Sequence, residues 1–140
     1  MEVVAVLIVE DNLGDVVLMH EALKESRVAT KVYVVPDVPH ALAFLQSHER
    51  YHNPVRPDVM VVDLHLPGKT GYELLAEVKS TPALADIPVV VFTSSLIEED
   101  RKTSFALQAA DYVLKPMDIT SYFARVQNIV ESYSTSKSLQ

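Results

Sequence analysis

The chain predicts an α/β fold: a doubly wound, five-stranded parallel sheet with helices on both faces, closed as one three-layer sandwich. Three observations carry this reading. Short, continuously apolar runs rich in β-branched residues recur at Val3–Val9, Val59–Val62, Val89–Phe92 and Tyr112–Leu114, the signature of strands buried on both faces. Helix-like stretches with 3.6-residue periodicity separate them, so right-handed crossovers must wind the strands into parallel order. Each run also stops on a chemically capable residue: Glu10 and Asp11, Asp63, Thr93, and Lys115. Ligands of such sheets sit outside the carboxyl ends of the strands, where the connection order reverses, so these five residues should meet in one crevice.

Strand one is Val3–Val9. Asn12–Ser26 follows as helix one, with Val16, Val17, Met19 or His20, and Leu23 at helical spacing. Lys31–Val35 is strand two, closed by Pro36, and Ala41, Leu42, Phe44 and Leu45 mark a second amphipathic helix starting near Val38 and fraying near His48. Glu49–Pro57 carries two prolines and an Asn-Pro pair and is expected to be a loop, long against the usual ~2–6 residues. Strand three is Val59–Val62. Pro67, Gly68 and Gly71 mark a turn, and Leu74, Leu75 and Val78 a third helix ending before Pro82. Pro88 opens strand four, where a missing N–H is tolerable. Glu98, Glu99 and Asp100 fall in the first turn of helix four, where negative charge complements the helix dipole. Ala109–Leu114 is strand five, and Asp118–Ser132 a last helix with Ile119, Tyr122, Phe123, Val126 and Ile129 or Val130 on one face. The polar tail Ser134–Gln140 is expected to be disordered, and no length remains for an output domain.

At 140 residues and 49% hydrophobic content the chain suits one domain, 1–133, with one core. A formal charge of −7, with 12 scattered Lys and Arg, argues against nucleic acid as a partner. Cysteine is absent, which rules out thiolate metal sites and disulfides. No run reaches the ~18 apolar residues of a membrane span, and the sequence enters a strand without a basic leader, so a cytoplasmic protein is expected.

Glu10, Asp11 and Asp63, once gathered, must repel. A bound cation or a raised pKa in one of them resolves the conflict. An all-oxygen set suits Mg²⁺, which engages a few protein oxygens and fills its shell with water and phosphate. Lys115 adds an ammonium and Thr93 a hydroxyl, together a cradle for the equatorial oxygens of a phosphoryl group in transfer. Asp63 is then the acceptor, forming an aspartyl phosphate.

On these residues the chain resembles the bacterial response-regulator receiver domain, of the kind seen in the single-domain chemotaxis regulator. The resemblance runs from about Val3 to Val130. It places the acidic pair at Glu10 and Asp11 in VLIVEDN, the acceptor at Asp63 in VVDLHLPGKTG, the switch hydroxyl at Thr93 in VVVFTSS and the lysine at Lys115 in DYVLKP, with 30 positions from Asp63 to Thr93 and 52 to Lys115. It implies the flavodoxin-like strand order 2-1-3-4-5 and a Mg²⁺ (or Mn²⁺) site made by Glu10, Asp11, Asp63 and the backbone carbonyl of His65. It also implies a cis peptide at Lys115-Pro116, phosphotransfer from a sensor histidine kinase, and an output face of helix four, strand five and helix five switched by Thr93 and Tyr112. His65 occupies a position that tunes dephosphorylation in the family. Chemistry beyond self-phosphorylation and self-dephosphorylation is not implied, so the chain reads as a switch rather than an enzyme. The segment EDNLGDVVLMHEAL and the Glu49–Pro57 loop are similar to small receivers that partner bacterial and cyanobacterial phytochromes, which implies a phytochrome-type kinase, a homodimer through helices four and five or the C-terminal segment, and a downstream phosphotransfer or effector protein.

Plainer readings stand beside these. Glu10-Asp11 can simply begin helix one, Tyr112 can be a core aromatic, His65 a surface histidine, and the long loop a solvated excursion. Gly68-Lys69-Thr70 is no phosphate loop, because the glycine needed five positions earlier is Asp63. A receiver-like module that ignores phosphate, and a dehalogenase-like hydrolase acting on outside substrates, are the competing classes; the second needs an aspartate where His65 stands. A flavin site lacks a Gly, Ser or Thr-rich loop after strand one. Gln108 replaces the glycine that most of the family has after helix four, so a left-handed cap there carries strain or gives way to another geometry.

Overall fold

The computed structural model describes residues 3–50 and 55–138. Its elements run β1 (Val3–Val9), α1 (Leu13–Lys24), β2 (Ala29–Val35), α2 (Val38–Arg50), β3 (Val59–Val62), α3 (Gly71–Ser80), β4 (Val89–Thr93), α4 (Glu98–Ala106), β5 (Asp111–Leu114) and α5 (Ile119–Ser138). All neighbouring strands pair in parallel in the order β2-β1-β3-β4-β5, the flavodoxin-like receiver arrangement expected.

Side-chain alternation along the strands divides the apolar residues between two cores, which is why the runs read as uninterrupted. Leu7 and Val9, Met60 and Val62, and Val89 and Val91 pack under Val38, Ala41 and Leu45 of α2 and Leu74, Leu75 and Val78 of α3. Val6 and Ile8, Val59 and Val61, and Val90 and Phe92 pack on the other face against Met19, Ala22 and Leu23 of α1 and Tyr122, Val126, Ile129 and Val130 of α5. Helix α1 buries Met19 and Leu23 as expected, with Ala22 beside them, but leaves Val17 59% exposed.

The connection order reverses at β1, which has β2 on one side and β3 on the other. Val9 and Val62 are register partners there, so Glu10 and Asp63 are the first residues beyond the paired segment. Thr93 pairs with Leu114, which puts Lys115 at the same rim. Register alone thus brings the four polar strand ends together.

Helix ends explain much of the rest. Asn12 caps α1 by accepting from the Asp15 N–H at 2.9 Å, and Thr70 caps α3 in a capping box with Glu73, which is the structural use of the Gly68-Lys69-Thr70 segment. Gly71 is buried where α3 begins: a Cβ there would stand 2.5 Å from the Asp63 carbonyl oxygen and 2.9 Å from Leu64 Cα, so only glycine lets the helix start against the acceptor strand.

Three expectations are corrected, one falls partly outside the described residues, and one open alternative is decided. Helix α2 runs through Arg50 rather than fraying at His48, since Glu49 and Arg50 are good helix formers. Of the expected Glu49–Pro57 loop, residues 51–54 lie outside the described residues, and Asp58 is tied to Ala5 through both its backbone N–H and its carboxylate at 2.8 Å. Helix α5 continues to Ser138 instead of giving way to a disordered tail at Ser134, since no glycine or proline interrupts 119–140; residues 139–140 are outside the described set. No cis peptide occurs among the described residues, so Lys115-Pro116 is trans, the form that an X-Pro bond favours by about 0.5–1 kcal/mol. Gln108 does adopt the left-handed conformation, with φ 74°, and so takes the strained option.

Candidate functional site at the strand ends

The Lys115 ammonium is the centre of the crevice. Its Nζ donates to Glu10 Oε1 at 2.8 Å, to Asp63 Oδ2 at 3.0 Å and to Asp15 Oδ2 at 3.0 Å. The partners are well covered, with side-chain exposures of 10% for Lys115, 1% for Glu10, 11% for Asp63 and 21% for Asp15. The second Glu10 oxygen accepts from the Asn12 N–H at 3.1 Å, and Asp63 Oδ1 accepts from the His65 N–H at 3.2 Å. Tyr122, reaching across from α5, donates its hydroxyl to Asp15 Oδ1 at 2.7 Å.

One ammonium faces three carboxylates, and the imbalance shows in their affinity for protons. Burial raises the Glu10 carboxyl above its usual 4.5, and the nearby Asp63 charge adds to this, while the bond from Lys115 offsets only part. For Lys115 burial alone would favour loss of its proton, but the bond to Glu10 and the charges of Asp63 and Glu10 outweigh it and hold the ammonium well above its usual range. Burial, then the bond to Asp15, pushes the Tyr122 hydroxyl up as well.

The crevice holds about 530 Å³ and is lined by Glu10, Asp11, Asp63, His65 and Lys115, with Asp15 and Ser94 beside them. Asp11 is exposed at its mouth. Among the described residues no three acidic or histidine side chains already stand converged as a metal-binding group. The surplus of negative charge around one lysine, the raised Glu10 and the all-oxygen donor set nonetheless fit a hard divalent cation.

Thr93 is present at the rim but fully buried, and its Oγ1 accepts from the Ser95 N–H at 3.4 Å; Ser94, not Thr93, lines the crevice. Alternation explains this. Thr93 follows Val89 and Val91 toward the α2–α3 face, whereas Lys115 follows Val113 toward α1 and α5. Tyr112 lies on the Thr93 side, half-buried, and donates to the Ser95 carbonyl at 3.1 Å. Asp100, expected merely to complement the α4 dipole, accepts from Ser95 Oγ at 2.5 Å and from the Tyr72 hydroxyl, and these two bonds hold its carboxyl below the usual range.

Sequence reasoning missed Asp15 and Tyr122. Asp15 drew no reading of its own, and Tyr122 read as one more member of the α5 stripe. The available signal was spacing: Asp15 is four residues, about one helical turn, beyond Asp11.

The fold and the site define a receiver-class signalling domain, and the family model "Response regulator receiver domain" matches residues 6–127, so the chain belongs to that family. It is a receiver domain of the two-component type. Among relatives, it is 40% identical to Response regulator Rcp1 of Synechocystis sp. over 124 residues, covering 89% of this chain and 84% of that one. It is also 37% identical to Two-component response regulator ORR12 of rice, Oryza sativa subsp. japonica, over 125 residues, covering 89% and 96%. Among solved structures, the phosphorylated cyanobacterial phytochrome response regulator RcpA superposes with a TM-score of 0.88 at 38% identity, covering 96% of each chain. The Mn²⁺-bound form of Rcp1 superposes at 0.80 with 40% identity, covering 89% and 90%.

Proposed function

We propose that this chain is a phospho-acceptor switch: Asp63 takes a phosphoryl group from the phosphohistidine of a sensor histidine kinase of phytochrome type. The observation that carries the reading is the placement of Asp63, covered, at the switch point of the sheet and bonded to Lys115. In the transfer an Asp63 carboxylate oxygen forms the new P–O bond as the P–N bond to histidine breaks, and the nitrogen leaves with that electron pair. Lys115 neutralises charge on the phosphoryl oxygens, and Glu10 holds Lys115 in place. Glu10, Asp11, Asp63 and the His65 backbone carbonyl would hold Mg²⁺ or Mn²⁺, whose charge would offset that of the carboxylates and phosphoryl oxygens. The Mn²⁺-bound relative and the phosphorylated one support both parts of this reading.

Thr93 and Tyr112 carry the switch. Their shared neighbour Ser95 links the rim to α4, and the exposed apolar residues Leu96, Ile97, Leu114 and Met117 supply a contact surface for a downstream protein or a second copy of the chain. The chain acts only on its own aspartyl phosphate, so it is a switch and not an enzyme for outside substrates. No helix among the described residues is long and apolar enough to cross a membrane, in keeping with a cytoplasmic role.

The test is intact-mass measurement after incubation with acetyl phosphate and Mg²⁺, then with purified phytochrome-type kinases. One phosphoryl group should appear on the wild type and none on Asp63→Asn. An unlabelled wild type, or equal labelling of the variant, refutes the proposal.

A further inference from the structure

We infer that Asp15, pinned by Tyr122, is a positioning residue that competes with Asp63 for the Lys115 ammonium and thereby restrains phosphorylation. The inference rests on the phospho-acceptor reading of Asp63. Lys115 Nζ is equidistant, at 3.0 Å, from Asp63 Oδ2 and Asp15 Oδ2, while Glu10 holds it at 2.8 Å. An ammonium has three protons to donate, and here all three go to carboxylates. A phosphoryl group arriving on Asp63 brings further negative charge and needs this same cation, so one of the existing bonds must yield. Glu10 is the least able to do so, being 1% exposed and also bonded to the Asn12 N–H. Asp15 is the most exposed of the three at 21% and sits on a helix rather than at a strand end, so it is the partner that gives way.

Tyr122 sets how strongly Asp15 competes. Its hydroxyl donates to Asp15 Oδ1 at 2.7 Å, and its ring, 3% exposed, stands edge-on to Phe92 with centroids 5.2 Å apart, so the hydroxyl is fixed by the packing of α5 on the sheet. This bond draws negative charge from Asp15 and weakens its hold on Lys115. The two residues therefore act in opposite directions: Asp15 retains the ammonium, and Tyr122 moderates that retention.

The test compares the rate of Asp63 phosphorylation by acetyl phosphate with Mg²⁺ in the wild type, Asp15→Asn, Tyr122→Phe and the double variant. Asp15→Asn should be about fivefold faster, since one competing charge is gone, and Tyr122→Phe about twofold slower, shifts of roughly 1 kcal/mol or less in the barrier. The double variant should match Asp15→Asn, because Tyr122 acts only through that carboxylate. A second readout needs no phosphate: acetylation of the Lys115 amine by acetic anhydride, followed by peptide mass mapping, should be severalfold faster in Asp15→Asn. Equal rates in all four proteins, or single variants shifted the same way as general destabilisation would shift them, overturn the inference while leaving Asp63 as acceptor. A wild type that takes up no phosphoryl group overturns the acceptor reading and this inference with it.

Discussion

Lys115 donates to Glu10 at 2.8 Å across 105 positions of sequence, and with 10% and 1% of their side chains exposed the two form the most covered ion pair at the rim. Replacing Lys115 with methionine keeps the stem and deletes the charge, leaving Glu10, Asp15 and Asp63 facing one another. Loss of one partner from a buried pair costs about 3 kcal/mol or more. Urea denaturation in metal-free buffer should show that loss, whereas Asp63→Asn, which removes a repelling charge, should shift the midpoint upward. A Lys115→Met midpoint equal to the wild type would contradict this account.

Glu10 makes stability fall with rising pH. Burial raises its carboxyl above 4.5 in the folded chain, so the folded state binds its proton more tightly than the unfolded state does. Below the unfolded value both states are protonated and nothing is lost; as pH rises through 4.5 to the raised folded value, stability declines. Glu10→Gln lacks this decline. Without divalent cations, the wild type should lose stability relative to Glu10→Gln between pH 4 and pH 7 on this linkage, and a relative gain would count against it.

Asp11 separates metal binding from folding. It is exposed at the crevice mouth, so Asp11→Asn should leave the metal-free unfolding free energy within about 0.5 kcal/mol of the wild type. Added Mg²⁺ or Mn²⁺ should raise the wild-type melting temperature by mass action and raise that of the variant much less. Equal metal-induced shifts in the two proteins would remove Asp11 from the ligand set.

Gly71→Ala tests how closely α3 approaches the acceptor strand. The new methyl would meet the backbone at 2.5 Å from the Asp63 carbonyl oxygen and 2.9 Å from Leu64 Cα, neither of which can rotate away. A loss of about 2 kcal/mol or more is expected by thermal or urea denaturation. Stability within experimental error of the wild type would mean that α3 can start elsewhere at no cost.

Gln108→Gly should stabilise. At φ 74° the Gln108 Cβ carries the left-handed penalty of about 1–2 kcal/mol, which glycine removes, less what glycine adds to the freedom of the unfolded chain. A net gain of about 0.5–1 kcal/mol in denaturation midpoint follows. A loss would show that the side chain makes a compensating contact.

The ends of helices two and five, expected near His48 and Ser132, were misjudged from sequence because polar residues continue a helix as readily as they leave it. Only the lack of a glycine or proline, through Arg50 and through Ser138, decides between the two. The Lys115-Pro116 bond keeps the trans form that an X-Pro bond favours, where the resemblance implied cis, and Gln108 takes the left-handed one of the two geometries the sequence left open.

By itself the sequence determined the parallel sheet and the gathering of Glu10, Asp63, Thr93 and Lys115 at one rim, while the strand order came from the family resemblance. Uninterrupted apolar runs must be covered on both faces, and parallel register then aligns the residues where those runs stop. Tertiary structure alone decided which of them touch. Strand alternation sends Lys115 toward α1 and α5 and Thr93 toward the other core, so the ammonium meets Asp15, which in turn accepts from the Tyr122 hydroxyl, two residues whose role depends on how two helices distant in sequence pack across a shared face.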